Sequence, residues 1–100
     1  MKIKPVVKPL AATRIAEVYD WYENQRDGLG LEFLDEWDAT TDRIAVNPET
    51  FQKKYRNFRL AHFDRFPYMA VYIYDVQENS IVIYNVLASK QHPAKRYRKK

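Results

Sequence analysis

The stretch that decides the fold is RLAHFDRFPYMAVYIYDVQENSIVIYNVLASKQHP, residues 59–93. It contains two runs, 68–75 and 81–88, that are rich in the β-branched and aromatic residues typical of strands. The polar residues 77–79 between them predict a hairpin connection. A weaker alternation over 55–63, which Pro67 ends, predicts another strand. We therefore expect three antiparallel strands in this half of the chain.

Both faces of the strand predicted over 68–75 are apolar. One face carries Met69, Val71 and Ile73, and the other carries Ala70, Tyr72 and Tyr74. A sheet that helices cover on one side should present polar residues on the other. Either another element covers the second face, or that face is a binding groove.

The first half of the chain changes from a short strand to two helices. Residues 2–8 alternate loosely and predict a strand in which Pro5 takes an edge, a bulge or an unpaired position. Pro9 suits the first turn of a helix. Two apolar stripes at three- and four-residue spacing then predict two amphipathic helices. Their members are Leu10, Ile15, Val18, Tyr19 and Tyr22, then Phe33, Leu34, Trp37, Thr41 and Ile44.

The two helices are expected to form an antiparallel hairpin, because a turn at Asp27-Gly28 separates them by only a few residues. The second helix should stop at Asn47, since a residue before proline is pushed out of the helical region. Both glycines, Gly28 and Gly30, are predicted to lie in the turn between the helices. The aromatic residues predicted to lie in the core are Trp21, Tyr22, Phe33 and Trp37.

Length and composition predict one domain, 1–100, in which 94–100 is a basic tail. The chain contains no cysteine, which excludes disulfides and thiolate metal sites. Its two histidines, His62 and His92, offer no metal-ligand spacing, and no glycine-rich phosphate loop is present, so we expect neither metal nor cofactor. The start carries no apolar signal segment, and the longest apolar run is too short to span a membrane. A cytoplasmic protein without membrane contact is the expectation.

Charge is divided unevenly along the chain. Residues 9–48 carry nine acidic and three basic side chains, whereas 50–100 carry eleven basic and three acidic ones. The division predicts an acidic helical face and a basic face made by the sheet and tail. A basic face attracts phosphate backbones or an acidic protein partner, although a solvated surface has the same pattern.

Several motifs, in this order along the chain, resemble the RelE/ParE family of toxins from bacterial type II toxin–antitoxin pairs. They are Trp21-Tyr22, Gly28-Leu29-Gly30, Asn47-Pro48 with Phe51, Arg59, and Phe66-Pro67-Tyr68. The resemblance covers nearly the whole chain. It implies an α+β fold of the order β-α-α-β-β-β, in which one sheet carries an antiparallel helical hairpin.

The motifs are more similar to the ParE branch of the family, in which the strand-end motif often reads His-x-Arg-Arg-x-Pro. Residues 88–93 keep its proline and one basic side chain, Lys90. This resemblance implies a plasmid-stabilisation toxin that inhibits DNA gyrase. It also implies a cognate antitoxin whose flexible, acidic C-terminal segment covers exposed apolar residues such as Met69 and Val71.

Two alternatives stay open. The RelE branch cleaves messenger RNA in the ribosome, by basic side chains that stabilise charge on the phosphate and by an acid and a base. The resemblance would assign that chemistry to Arg59, Lys90, His92 and Tyr97. That branch typically has an arginine where Met69 stands, so no catalytic residue is assigned outright. The third hypothesis is a toxin-fold binding protein without poison activity.

The basic residues near the C-terminus are predicted to contact the target or nucleic acid, although a solvated terminus has the same composition. They are Lys90, Lys95, Arg96 and Arg98. Arg59 has a second interpretation, as a structural arginine paired with the acidic helices. A homodimer is left open, and so is the choice between gyrase and the ribosome as target.

Overall fold

A computed structural model describes residues 3–89 and packs two helices against a five-stranded sheet. The elements are β1 (Val6–Val7), α1 (Pro9–Gln25), α2 (Leu29–Val46), β2 (Lys53–Tyr55), β3 (Phe58–His62), β4 (Tyr68–Asp75) and β5 (Ser80–Ala88). The strand order is β1-β5-β4-β3-β2, in which β1 runs parallel to β5 and the other pairs are antiparallel. This is the predicted α+β, RelE/ParE-like fold, with β2 as one strand more than predicted.

The helical hairpin is confirmed, and so are its turn and its end. Gly28 has a φ of +89°, a left-handed conformation that glycine adopts without steric cost. The Glu23 carboxylate accepts hydrogen bonds from the backbone N–H groups of Gly28 and Gly30, each at 2.9 Å. It thereby satisfies N–H groups that a helix N-terminus leaves without partners. Helix α2 gives way to the non-helical Asn47 directly before Pro48.

The prediction that Gly30 belongs to the turn is wrong, because Gly30 lies in the first turn of α2. A Cβ atom at this position would lie 2.7 Å from Cδ1 of Tyr19 and 2.8 Å from the Tyr19 carbonyl oxygen. Glycine is therefore required by the close approach of α1 to α2, and its conformation plays no part.

Two strand predictions are corrected in extent. Of the strand predicted over 2–8, the described residues 3–8 form only Val6–Val7, and Pro5 lies outside it. The strand predicted over 55–63 is divided between the end of β2 and the whole of β3. Arg56 lies between them with a φ of 54°, and this left-handed residue helps to reverse the chain.

The core lies between the helices and the inner face of the sheet. Phe33 is fully buried, and its ring centroid lies 5.6 Å from that of Phe63 and 5.5 Å from that of Phe66. Tyr22 and Trp37 are partly buried and pack against this cluster. Trp21 is 58% exposed, so its predicted place in the core is wrong. One residue along a helix turns the side chain by about 100°, which carries Trp21 off the buried stripe.

A bulge in β5 changes which of its side chains face the core. Val71 pairs with Asn85 and Tyr72 with Ile83, so Tyr84 is an extra residue in β5. Ile83 and Val86, three residues apart, are consequently both buried. The Asn85 Oδ1 atom accepts a hydrogen bond from the Val86 N–H at 2.8 Å. The bulge therefore turns Leu87 toward the open face of the sheet, which Tyr84 already faces by alternation with the buried Ile83.

Candidate partner-binding groove

The outer face of the sheet, which the helices do not cover, carries an apolar groove of about 430 Å³. We call it the outer groove. The residues that line it are Leu10, Lys54, Tyr55, Phe58, Leu60, Val71, Tyr84, Asn85 and Leu87. The second apolar face predicted from residues 68–75 is thus open in the described part of the chain, and it forms a groove.

The floor of the outer groove is built by side chains from the three central strands. Leu60 and Val71 are register partners on β3 and β4, and Val71 pairs in turn with Asn85 on β5. The rings of Phe58 and Tyr84 meet edge to face, with centroids 5.7 Å apart. These side chains are partly or largely exposed, so they are available to a partner.

The two residues predicted to contact a partner differ in their place. Val71 lines the outer groove, whereas Met69 lies on the same face beside Leu87, its register partner. The alternation over residues 55–63 places Phe58 and Leu60 on one face of a strand, and this pattern could have identified both as lining residues. Leu10 had no such signal, because it belongs to an apolar helix stripe and reaches the groove only through the packing of α1 on β5.

Positive charge stands at one end of the outer groove. Lys54 lines the groove, and Arg56 follows Tyr55, another lining residue, on the β2–β3 hairpin. Within residues 3–89, neither cation has a carboxylate oxygen within 4.0 Å. The Arg56 guanidinium lies over the exposed Tyr55 ring, 5.4 Å from its centroid. This end of the groove is suited to an acidic group on an otherwise apolar partner.

Cations on the helical side are paired instead. Glu32 accepts hydrogen bonds from Arg65 at 2.7 Å and from Arg26 at 3.2 Å. These two hydrogen bonds hold the pKa of the Glu32 carboxyl below its usual range. Arg43 pairs with Asp64 at 3.4 Å. Arg26, Arg43 and Arg65 are therefore each paired with a carboxylate of their own chain.

Arg59 is the only residue of the proposed nuclease set that lies among residues 3–89. It lies on the inner face of β3, and its Nη1 atom donates to the carbonyl oxygens of Phe51 at 2.6 Å and Glu49 at 3.4 Å. Within residues 3–89 it hydrogen-bonds to backbone carbonyls and forms no ion pair with the acidic side chains of the helices. The other predicted site residues, Lys90, His92, Lys95, Arg96, Tyr97 and Arg98, lie outside the described residues, as does the tail 94–100.

Three tyrosine hydroxyls near the core remain protonated at neutral pH. Burial, together with the neighbouring Tyr68, raises the pKa of Tyr22 to about 12. Burial also raises the pKa of Tyr68, and it raises that of Tyr72 to about 12 although Arg59 acts against it. These phenols can donate hydrogen bonds but cannot serve as bases near pH 7.

Among residues 3–89 there is no group of three or more His, Asp or Glu side chains that could hold a metal ion. None of the helices in that range is long and apolar enough to cross a membrane. Fold and groove together define a small α+β domain of RelE/ParE-like architecture whose open sheet face is suited to a protein partner.

The comparisons with known proteins identify the family. The family model for the ParE toxin of the type II toxin-antitoxin system parDE matches residues 6–93. The chain belongs to this family, so it is a toxin of a type II toxin–antitoxin system. A solved chain from the chromosomal ParDE TA system from P. aeruginosa has the same fold, with a TM-score of 0.76 at 14% sequence identity. That similarity covers 89% of this chain and 98% of the solved one. No curated protein matches the sequence significantly.

Proposed function

We propose that this toxin inhibits DNA gyrase and that its cognate antitoxin neutralises it by occupying the outer groove. Family membership implies a cognate antitoxin as partner. The observation that carries the proposal is the apolar groove of about 430 Å³. It lies on a domain in which, within residues 3–89, every buried side-chain nitrogen and oxygen has a hydrogen-bond partner. A contiguous apolar surface of this kind on a small protein marks a docking site.

The chemistry of the outer groove describes the segment that would fill it. Apolar side chains of the antitoxin would contact Phe58, Leu60 and Val71, as an amphipathic segment does when it lies in a groove. An acidic side chain at one end of that segment would meet Lys54, with Arg56 close by. The antitoxin contact predicted for Met69 belongs to the opposite end, beside Leu87.

The placement of Arg59 and Met69 supports gyrase over the ribosome as the target. Met69 stands where the ribonuclease branch typically has an arginine, and it carries no charge. Arg59 lies on the helix-facing side of β3, whereas Met69 lies on the outer side of β4. The two positions therefore do not converge on one phosphate, which a ribonuclease site would require.

The test is controlled expression in bacteria without antitoxin, followed by pulse labelling of DNA and protein synthesis. We expect DNA synthesis to fall first, with induction of the DNA-damage response, and purified gyrase to lose supercoiling activity when the toxin is added. Early loss of protein synthesis with cleaved messages would overturn the proposal in favour of a ribonuclease, and Lys90, His92 and Tyr97 would then be mutated. Normal growth with confirmed soluble protein would indicate a binding protein without poison activity.

A further inference from the structure

Two neighbouring side chains hold the loop that follows α2. Arg59 and Tyr72 are register partners on β3 and β4. The Arg59 Nη1 atom donates to the Phe51 carbonyl at 2.6 Å and to the Glu49 carbonyl at 3.4 Å. The Tyr72 hydroxyl donates to the Pro48 carbonyl at 2.7 Å. Three carbonyl groups of residues 48–51 are therefore bound by one cross-strand pair.

This loop leads directly into β2, an element that has little other support. All three residues of β2 are exposed, so the core does not hold them. The pairing of β2 with β3 is irregular, with a register shift between Lys53 and Tyr55. In contrast, Tyr72 is fully buried, and its ring meets the Phe51 ring edge to face with centroids 6.3 Å apart. The anchor of the loop is thus buried, whereas the strand that follows is exposed.

Strand β2 supplies one wall of the outer groove, through Lys54 and Tyr55. We propose that Arg59 and Tyr72 are positioning residues, which hold the loop 48–51 and thereby set Lys54 and Tyr55 in the wall of the groove. The role of the groove as antitoxin site rests on the proposed function, but the hold on β2 does not. In this assignment Arg59 acts through the loop backbone and contacts no phosphate.

The first readout is amide hydrogen exchange of the free, full-length chain, produced by cell-free synthesis. Arg59→Met keeps the aliphatic stem and removes the donors, so we expect exchange at β2 and at the Leu60 amide to accelerate about tenfold, the effect of one lost hydrogen bond to a charged group. The Leu60 amide reports on the loop because it donates to the Gln52 carbonyl. Amides at the centre of β4 should change by less than about twofold, since opening is local.

The second readout is the groove itself, probed with anilinonaphthalene sulfonate, whose rings suit the apolar floor and whose sulfonate suits Lys54. Arg59→Met should weaken dye binding about three- to tenfold, because the wall contributed by β2 is no longer held in place. Arg59→Lys retains one charged donor and should give an intermediate affinity and exchange rate. Tyr72→Phe keeps the buried ring and should act in the same direction as Arg59→Met.

The matched control is Arg65→Gln, which removes another arginine whose partner is Glu32 on the helical side. It should leave β2 exchange and dye affinity unchanged. Three results would overturn the assignment: unchanged β2 exchange in Arg59→Met, equal acceleration throughout the sheet, or Arg59→Lys indistinguishable from Arg59→Met. These measurements use the free chain, so they do not depend on whether the toxin inhibits gyrase. Failure of the proposed role of Arg59 and Tyr72 can therefore be distinguished from failure of the proposed function.

Discussion

The two faces of the sheet differ in how their side chains are satisfied. Between the inner face and the helices, Phe33 of α2 and Tyr72 of β4 are fully buried, and within residues 3–89 no buried side-chain nitrogen or oxygen lacks a hydrogen-bond partner. On the outer face Val71 and Leu60 are only half-buried, and Lys54 has no carboxylate partner in that range. The inner face is completed by its own chain, whereas the outer face offers apolar area and positive charge that a partner can complete.

Several exposed apolar residues are clustered in the outer groove. Of the ten large apolar residues that are exposed in residues 3–89, four line the outer groove: Leu10, Tyr55, Tyr84 and Leu87. Single exposed apolar residues are ordinary on protein surfaces, but a group in one concavity is not. The outer groove is therefore the candidate surface for a partner, and matched substitutions on each side of the sheet test this assignment.

The largest expected effect is on stability, from a substitution in the core between the helices and the inner face. Phe33→Ala should lower the free energy of unfolding by about 3–5 kcal/mol, because it leaves a cavity among packed aromatic rings. Phe58→Ala, the matched change on the outer face, should cost about 1 kcal/mol, since a half-buried ring loses only part of its transfer free energy. Urea unfolding followed by circular dichroism measures both. Equal losses would contradict the difference between the faces.

The next effect is on binding, from the outer face. Val71→Asp places a carboxylate on the apolar floor of the groove and should weaken binding of the cognate antitoxin by about 2–4 kcal/mol, as loss of a central contact does. Leu31→Asp is the control, because Leu31 is 58% exposed on α2 and lies outside the groove. Titration calorimetry with purified antitoxin checks both variants. If Leu31→Asp weakened binding as much as Val71→Asp, the groove would not be the docking site.

A smaller effect tests how closely the two helices pack. Gly30→Ala should cost about 1–3 kcal/mol, because its Cβ would overlap the Tyr19 backbone carbonyl, which cannot move aside as a side chain would. Gly28→Ala should cost about 1 kcal/mol, through the left-handed backbone alone, since no atom lies within 4 Å of its added Cβ. Thermal unfolding separates the two, and a larger cost at Gly28 would contradict the assignment.

The smallest effect concerns the surface ion pairs of the helical side. The pKa of Glu32 is lowered in the folded state by hydrogen bonds from Arg65 and Arg26, so its contribution to stability is present above the unfolded pKa of 4.5 and is lost as the pH falls through the lowered value. Arg65→Ala should therefore reduce stability slightly more at pH 7 than at a pH where Glu32 is protonated, where only the contact with the Phe66 ring is lost. Melting curves at both pH values, with Lys54→Ala as the unpaired control, measure the difference. A loss for Arg65→Ala that was as large in acid as at pH 7 would refute this origin.

Local patterns in the sequence were sufficient for most of the elements. The helical stripes, the turn at Gly28, the stop at Asn47 and the strand over 68–75 all follow from periodicity and backbone preference, which act between near neighbours. The division of 55–63 into two strands did not follow, because it depends on the left-handed conformation of Arg56, a residue that rarely adopts it. The exposure of Trp21 was missed because the prediction used its hydrophobicity and not its position around the helix axis.

The candidate site divides in the same way. Two-sided hydrophobicity in residues 68–75 left two possibilities for the second face, a covering element or a binding groove, and it singled out Val71, which does line the groove. Leu10 and Leu87 were missed, because Leu10 reaches the groove through the packing of α1 on β5 and Leu87 faces it only through the bulge in β5. Arg59 was predicted to contact a carboxylate or a phosphate, because its residue type indicates positive charge. The sequence does not indicate that its partners are the backbone carbonyls of Phe51 and Glu49.

The amino-acid sequence by itself determined the order of helices and strands, the family resemblance and the excess of positive charge in the second half, because these properties arise from composition and from short-range periodicity. Only the tertiary structure decided that Leu10, Tyr55 and Leu87 share one groove and that Arg59 and Tyr72 hold one loop. Strand order and register bring together residues that are far apart in the chain, and a single bulge reverses which side chains face the core. Contacts of that kind have no signature in a local pattern.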